Sequence, residues 1–323
     1  MKVAITGGAG YIGALLADEL LNAGHEVSVL DQLIHDQEDI AAGLEARGVE
    51  VVRGDVRDAD ARERAFTGAD AIVHLAAIVG DPACGRDPEL SNSVNIEGSQ
   101  AVVADAKRLG VKRLVFASTC SNYGRMDDPT VPIDESGELR PVSLYAEQKV
   151  GIEKALLNGS SGDLVTTCLR FATVYGVGPR MRFDLTVNEF TRDLWADREL
   201  EVFGELFWRP YIHVHDAARA IALVLGSPED KVAGEVFNAG HSDENYRKLD
   251  LVELIVERLG RGDVKYVSRD EDPRDYKVSF EKIKRELGFE PQMRVPDGIG
   301  EIATALDGER FGDPFDSRYS NIG

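Results

Sequence analysis

The chain has 323 residues, 43% of them hydrophobic and 29% charged, a length that suits one large core or two unequal domains and makes a small binding module a poor fit. Its formal charge of -20, from 37 basic and 57 acidic residues, repels phosphate backbones and anionic lipid, which argues against nucleic acid and membrane partners. An anionic substrate would then require a local cluster of arginines.

In chain order, short runs rich in Val, Ile and Leu recur at residues 3–5, 27–30, 49–52, 71–75, 114–117 and 164–169. Each is followed by a segment with helical character. Uninterrupted apolar runs alternating with helices predict parallel strands covered on both faces, an α/β, Rossmann-like doubly wound sheet. Beyond about Arg170 the alternation gives way to helix-like stretches at 185–196, 217–225, 249–259 and 280–287, with short strands near 235–237 and 264–267. The expectation is a dinucleotide-binding domain over residues 1–170, with some later segments interleaved, and a smaller mixed substrate domain over 171–323. The polar tail from Gly308 is expected to lie outside the folded part.

No apolar stretch reaches the roughly 18 residues of a membrane span, and the first residues begin a strand rather than a charged leader, so a cytoplasmic location is expected. Cys84, Cys120 and Cys168 are far apart and lack CxxC spacing, so neither a disulfide framework nor a zinc site is expected. His213 and His215 have no evident third or fourth ligand, and a structural role is favoured for them over metal binding.

The first strand runs into Gly7-Gly8-Ala9-Gly10-Tyr11-Ile12-Gly13 and then an apolar helix. In a dinucleotide site, Gly7 permits the tight turn, Gly10 lets backbone approach a pyrophosphate, and Gly13 lets helix and strand pack closely. The helix N-terminus then offers unpaired amides to the anion. A turn that binds nothing is the competing reading. Asp31, at the end of the second strand, is placed to accept hydrogen bonds from both adenine-ribose hydroxyls and to repel a 2'-phosphate, which favours NAD over NADP; otherwise it is a solvated turn residue. Asp55 and Val56 follow the third strand and are candidates to flank the adenine.

Tyr145 and Lys149 are four residues apart and share one face of a predicted helix. A phenol with a reference pKa near 10 works as a base at neutral pH only where its phenolate is stabilised, and Lys149 and a positive nicotinamide are the candidates. The fifth strand ends at Ser118-Thr119-Cys120-Ser121, on the carboxyl edge where doubly wound sheets bind ligands. A hydroxyl there could share the substrate proton, or simply cap the strand.

Taken together, these motifs resemble the extended short-chain dehydrogenase/reductase family, the nucleotide-sugar epimerases and dehydratases. The match also takes in His74-Leu75-Ala76-Ala77, Asn95, Arg170 to Gly176 and Arg209-Pro-Tyr-Ile-His213, and covers nearly the whole chain. The resemblance implies an NAD-dependent enzyme in which Tyr145 is the base, Lys149 lowers its pKa and holds the nicotinamide ribose, and Thr119 is the hydroxyl partner with Ser118 auxiliary. It also implies that Tyr11, Ile12, Leu75, Ala76, Ala77 and Asn95 line the cofactor cleft. Arg209 would grip the substrate diphosphate, assisted by Arg269 or Arg274, and family members commonly form homodimers. Arg180 and Arg182 either join that cluster or face solvent.

Two departures narrow the chemistry. Where sugar 4,6-dehydratases carry an Asp-Glu pair after the catalytic Thr, this chain has Cys120-Ser121, so elimination of water lacks its usual carboxylates. Cys120 is either a second proton-transfer group or, the favoured reading, a small residue shaping the sugar pocket. Thr173 stands where many members have an Asn near the substrate phosphate, which puts the usual uridine-diphosphate placement in question. Gly-Pro-Arg-Met-Arg-Phe-Asp-Leu and Asp-Pro-Arg-Asp-Tyr also resemble a branch acting on guanosine-diphosphate heptoses. The expected activity is oxidation at carbon 4 of a nucleotide sugar, ending in epimerisation. A net 4-dehydrogenase or 4-keto reductase is the alternative, a dehydratase less favoured, and an NAD-sensing binding protein the non-enzymatic rival.

Overall fold

The computed structural model describes residues 1–158, 163–267 and 274–322. In chain order its strands are β1 Lys2–Thr6, β2 Glu26–Asp31, β3 Glu50–Arg53, β4 Ala71–His74, β5 Arg113–Thr119, β6 Val165–Phe171, β7 Thr173–Tyr175, β8 Glu199–Phe203, β9 Trp208–His213, β10 Glu235–Ala239, β11 Asn245–Arg247 and β12 Asp263–Val267. The α-helices are α1 Gly13–Asn22, α2 Glu38–Ala46, α3 Ala59–Phe66, α4 Asp81–Arg86, α5 Pro88–Asn92, α6 Ser99–Arg108, α7 Leu144–Leu157, α8 Thr186–Trp195, α9 Val214–Gly226, α10 Glu229–Val232, α11 Lys248–Leu259, α12 Glu281–Leu287 and α13 Val295–Asp307.

Seven strands form one sheet in the order β10-β6-β5-β4-β1-β2-β3, with every neighbouring pair parallel. The apolar runs explain this: β4 is buried throughout and β6 at all seven positions, as strands covered on both faces must be. One core, including Leu16, Leu20, Val29, Ile221 and Phe237, lies on one face, and a second, including Leu30, Phe66, Ile72, Phe116 and Ile152, on the other. Strand order reverses between β1 and β4, which opens a crevice at their carboxyl ends. Strand β10 reaches this sheet from a point late in the chain and pairs with β6 from Glu235↔Thr167 to Ala239↔Phe171.

Two small sheets, β11-β9-β7 and β12-β8, and helices α8, α11 and α13 enclose a third core containing Phe183, Leu194, Leu251 and Ile299. No helix among the described residues is long and apolar enough to cross a membrane.

The expectation for the tail is overturned. Phe311 and Tyr319 are buried and pack edge to face against Phe183, with ring centroids 5.1 and 5.8 Å away. The Tyr319 carbonyl accepts from the Phe183 amide at 2.8 Å, and the Asn321 amide donates to Asp184 at 3.1 Å. Arg86 donates to the Ile322 carbonyl. Two aromatic anchors among polar neighbours are enough to dock a segment whose average composition looks like solvent.

Candidate active site

A cleft of about 510 Å³ runs along the carboxyl edge of the large sheet, lined from Gly7 at one extreme of the chain to Ile322 at the other. At its glycine turn Gly7 has φ +73°, and a Cβ there would stand 2.9 Å from the Ala76 amide nitrogen. A Cβ on Gly13 would strike the Gly7 carbonyl. Both positions therefore exclude side chains, leaving backbone exposed to a ligand at the start of α1. Gly7, Gly10, Tyr11, Ile12 and Gly13 all line the cleft, as do Asp31, Asp55, Val56, Leu75, Ala76 and Ala77.

Asp31 is held by two amides, Ala9 donating to Oδ2 and Leu33 to Oδ1, each at 2.9 Å. Burial raises its pKa while these amides pull it back. Asp55 pairs with Arg57 at 2.6 Å, and that pairing lowers its pKa. The Tyr11 hydroxyl donates to the Gly176 carbonyl and accepts from Asn188 at 3.1 Å, locking the glycine turn to the segment after β7.

His74 organises the next wall. Ser99 Oγ donates to the Asn95 carbonyl, so it accepts from His74 Nε2 at 2.8 Å; Nδ1 in turn accepts from Thr6 Oγ1 at 2.7 Å, which accepts from the Ala76 amide. Burial drives His74 down to a pKa of about 3, keeping this chain neutral and β1 and β4 in register.

Asn95 is a correction. It sits in a π-helical turn, Ser93–Gly98, and is buried. Its side chain accepts from the Ile78 amide at 2.8 Å and donates to the Ile78 carbonyl at 3.0 Å. It braces the loop that lines the cleft instead of facing the cleft itself.

Ser143 caps α7, accepting from the Ala146 amide at 3.3 Å, and so fixes where the helix starts. Tyr145 falls in its first turn, and Lys149 one turn later. Both line the cleft together with Thr119, Ser118 and Ser121. The Lys149 ammonium donates to the Ala117 carbonyl at 2.8 Å and lies 5.8 Å from the Tyr145 ring centroid. Burial lowers its pKa to about 8. The Tyr145 phenol is pushed above its usual value, first by burial and then by Cys84 and Asp81, with Arg182 opposing.

Ser118 and Cys120 differ from expectation. The Ser118 hydroxyl donates to Glu153 at 2.7 Å, inside a buried network in which Glu153 pairs with Arg170. Its proton is thus committed to a structural carboxylate. Cys120 does not line the cleft: its Sγ is directed at the Arg170 carbonyl at 3.2 Å, 1% of the residue is exposed, and burial raises the thiol well above its ordinary pKa. It neither shapes the sugar pocket nor has the thiolate character that proton transfer needs.

Thr173, Arg180, Arg182, Arg209 and Arg274 all line the cleft, and Arg269 lies outside the described residues. Arg180 and Arg182 are buried, not solvent-facing. Arg182 is paired with Asp184 at 2.6 Å, while Arg180 Nε and Nη2 have no hydrogen-bond partner among the described residues. Burial and Arg182 lower Arg180 to a pKa of about 10, with Asp31 and Asp184 opposing. Arg180 and Asp31 are far apart along the chain, and only the fold brings them close enough to influence each other. Asp81, His35, Asn321 and Ile322 also line the cleft and were missed because none belongs to a recognisable motif. His213 bonds Glu301 at 2.8 Å and stacks on His215. No group of three or more His, Cys, Asp or Glu suited to a metal occurs among the described residues.

The glycine cradle and the carboxylate beyond it, with Arg180 lining the same cleft, fit a dinucleotide diphosphate and its ribose. Comparisons with known proteins agree. The chain is 32% identical to a dTDP-glucose 4,6-dehydratase of Streptomyces niveus, covering 93% of this chain and 91% of that one. It is 30% identical to a UDP-glucose 4-epimerase of Corynebacterium glutamicum, covering 95% of each. The structure of DesIV, a dTDP-glucose 4,6-dehydratase from Streptomyces venezuelae with NAD bound, superimposes with a TM-score of 0.87 at 28% identity over 98% of this chain and 100% of that one. The family model matches residues 3–240, and the chain belongs to the NAD dependent epimerase/dehydratase family.

Proposed function

We propose that this enzyme is a nucleotide-sugar 4-epimerase, oxidising carbon 4 of a nucleoside-diphosphate hexose or heptose and reducing the resulting ketone from the other face. The observation that carries this reading is the placement of Tyr145, Lys149 and Thr119 in one cleft with the glycine turn and Asp31. NAD, held by the Gly7–Gly13 turn and Asp31, supplies the hydride acceptor when bound.

Tyr145 takes the proton from the carbon 4 hydroxyl as hydride leaves, and returns one when hydride comes back. Its position in the first turn of α7 puts the phenolate at the positive end of the helix dipole. Lys149, held against the Ala117 carbonyl, adds a second positive influence. Thr119 shares the proton, while Ser118 braces the strand end through Glu153. Arg209 and Arg274 grip the diphosphate, with Thr173 and Arg182 bordering the substrate. Arg180, beside Asp31, serves the cofactor more directly than the substrate.

If the 4-keto sugar turns over in the cleft, the product is the epimer; if it leaves, the same residues make a 4-dehydrogenase. Dehydration is less favoured, because the turn after Thr119 carries Cys120, directed at the Arg170 carbonyl, and Ser121. The relatives include both epimerases and dehydratases, so product identity decides. Incubation with NAD and a panel of uridine-, guanosine-, thymidine- and cytidine-diphosphate sugars, followed by mass spectrometry and NMR, is expected to give an isomer of unchanged mass without net NADH. Loss of water would overturn the epimerase assignment, and stoichiometric NADH would make it a dehydrogenase. Tyr145→Phe is expected to lower turnover by roughly 10³-fold or more while retaining NAD binding; wild-type behaviour in every assay would favour a sensor. A homodimer that packs the helical segments of about residues 87–109 and 143–157 is expected, checked by light scattering.

A further inference from the structure

Gln148 stands in α7 between Tyr145 and Lys149, yet it is buried and does not line the cleft that both of them reach. Its Oε1 accepts from Ser91 Oγ and from Asn95 Nδ2, each at 2.8 Å. The orientation of this amide is fixed from the far side. Asn95 Oδ1 is taken by the Ile78 amide at 2.8 Å, so Asn95 turns its nitrogen to Gln148, and Gln148 must answer with its oxygen. Gln148 Nε2 is buried and has no hydrogen-bond partner among the described residues. The side chain therefore serves as an acceptor alone and carries the cost of an unpaired buried donor, which points to a role for the acceptor beyond filling space.

Two neighbouring residues thus tie α7 to two different strand ends. Lys149 bonds the Ala117 carbonyl of β5 at 2.8 Å, and Gln148 reaches the loop after β4 through Asn95 and Ile78. Successive residues of an α-helix point about 100° apart, so the two ties fix the roll of the helix about its axis as well as its distance from the sheet. With the Lys149 tie alone, α7 can turn about that bond. Tyr145 precedes Gln148 by three residues and neighbours it on the helix surface, so any roll carries the phenol sideways past the loop whose Ala76, Ala77 and Ile78 line the cleft. Resting on the reading of Tyr145 as the base, we propose that Gln148 is a positioning residue that locks the roll of α7 to this loop through Asn95 and so sets where the Tyr145 phenol meets the sugar hydroxyl.

The test uses NAD-loaded enzyme and whichever of UDP-glucose, GDP-mannose, dTDP-glucose and CDP-glucose the wild type converts. Gln148→Met keeps the length of the side chain and removes the acceptor; if it does not fold, Gln148→Asn withdraws the acceptor by one methylene. Either variant is expected to lower kcat by about 10- to 100-fold, to leave KM within about threefold of wild type, and to raise the kinetic isotope effect of the sugar deuterated at carbon 4. Partial unfolding lowers the rate but leaves the isotope effect alone, so a reduced rate with the wild-type isotope effect would overturn the proposal. Gln148→Glu keeps an oxygen able to accept both bonds, ionised or not, and is expected to show the wild-type isotope effect; behaviour like that of Gln148→Met would also overturn it. Hydrogen exchange needs no sugar. Peptides covering residues 75–80 of the NAD-loaded Gln148→Met protein are expected to exchange about tenfold faster than in wild type, and unchanged exchange there would sink the tie. If the wild type converts none of the four sugars, the nucleotide-sugar reading fails by itself, and exchange still decides whether Gln148 holds the loop.

Discussion

A lysine that is 5% exposed and brought down to a pKa of about 8 is maintained at a cost. In the unfolded chain Lys149 holds its proton to about pH 10.4. Between these values the unfolded state binds more protons, so stability rises with pH from about 8 to 10, and at neutral pH the buried charge is destabilising. Lys149→Met is therefore expected to stabilise the fold at pH 7 by about 1–3 kcal/mol while removing most turnover. Parallel melting curves and rate measurements check both halves. His74 acts in the opposite pH range. Its folded pKa of about 3 lies below the ordinary 6.5, so its contribution is complete above pH 6.5 and is lost as the pH falls toward 3. Replacing it with Asn should flatten the acid side of the stability profile, as melting at pH 4 and pH 7 would reveal.

At the scale of elements, the start of α7 matters more than its interior. Ser143→Ala removes the cap and should cost about 1 kcal/mol. Because Tyr145 sits in the first turn, fraying moves the base itself, so turnover should fall more than global stability predicts. The segment ending at Ile322 is a second such element. Tyr319→Ala, which empties a buried ring site, should cost about 3 kcal/mol and weaken NAD binding, measurable by titrating the variant with the cofactor. Legibility in the sequence followed the same lines. The glycine turn, Asp31 and the Tyr145/Lys149 pair were legible because each depends on local spacing along one strand or helix. Asn95, Cys120 and Asp81 were not, because what each side chain faces is set by packing between distant elements. The docked tail was missed because Phe311 and Tyr319 are too widely spaced to form a pattern.

At the scale of the whole molecule, the doubly wound sheet could be read from six apolar runs, whereas the placing of β10 beside β6 depends on a return of the chain that periodicity does not encode. The cleft takes its lining from the large sheet, from the β7 region and from the segment 321–322. Any ligand filling it binds only when all three are in place, so NAD at 100 times its dissociation constant should add about 2.7 kcal/mol to stability. Scanning calorimetry with and without NAD is expected to show one sharper, higher transition when it is bound. The same geometry gives synthesis a time order. The glycine turn ends at residue 13 and the cleft-lining residues of the segment ending at Ile322 begin at 321, so about 15–60 s of translation at 5–20 residues per second separates them. A nascent chain can form the β1–α1 turn early, but the cleft has its full lining only after residues 321–322 have left the ribosome.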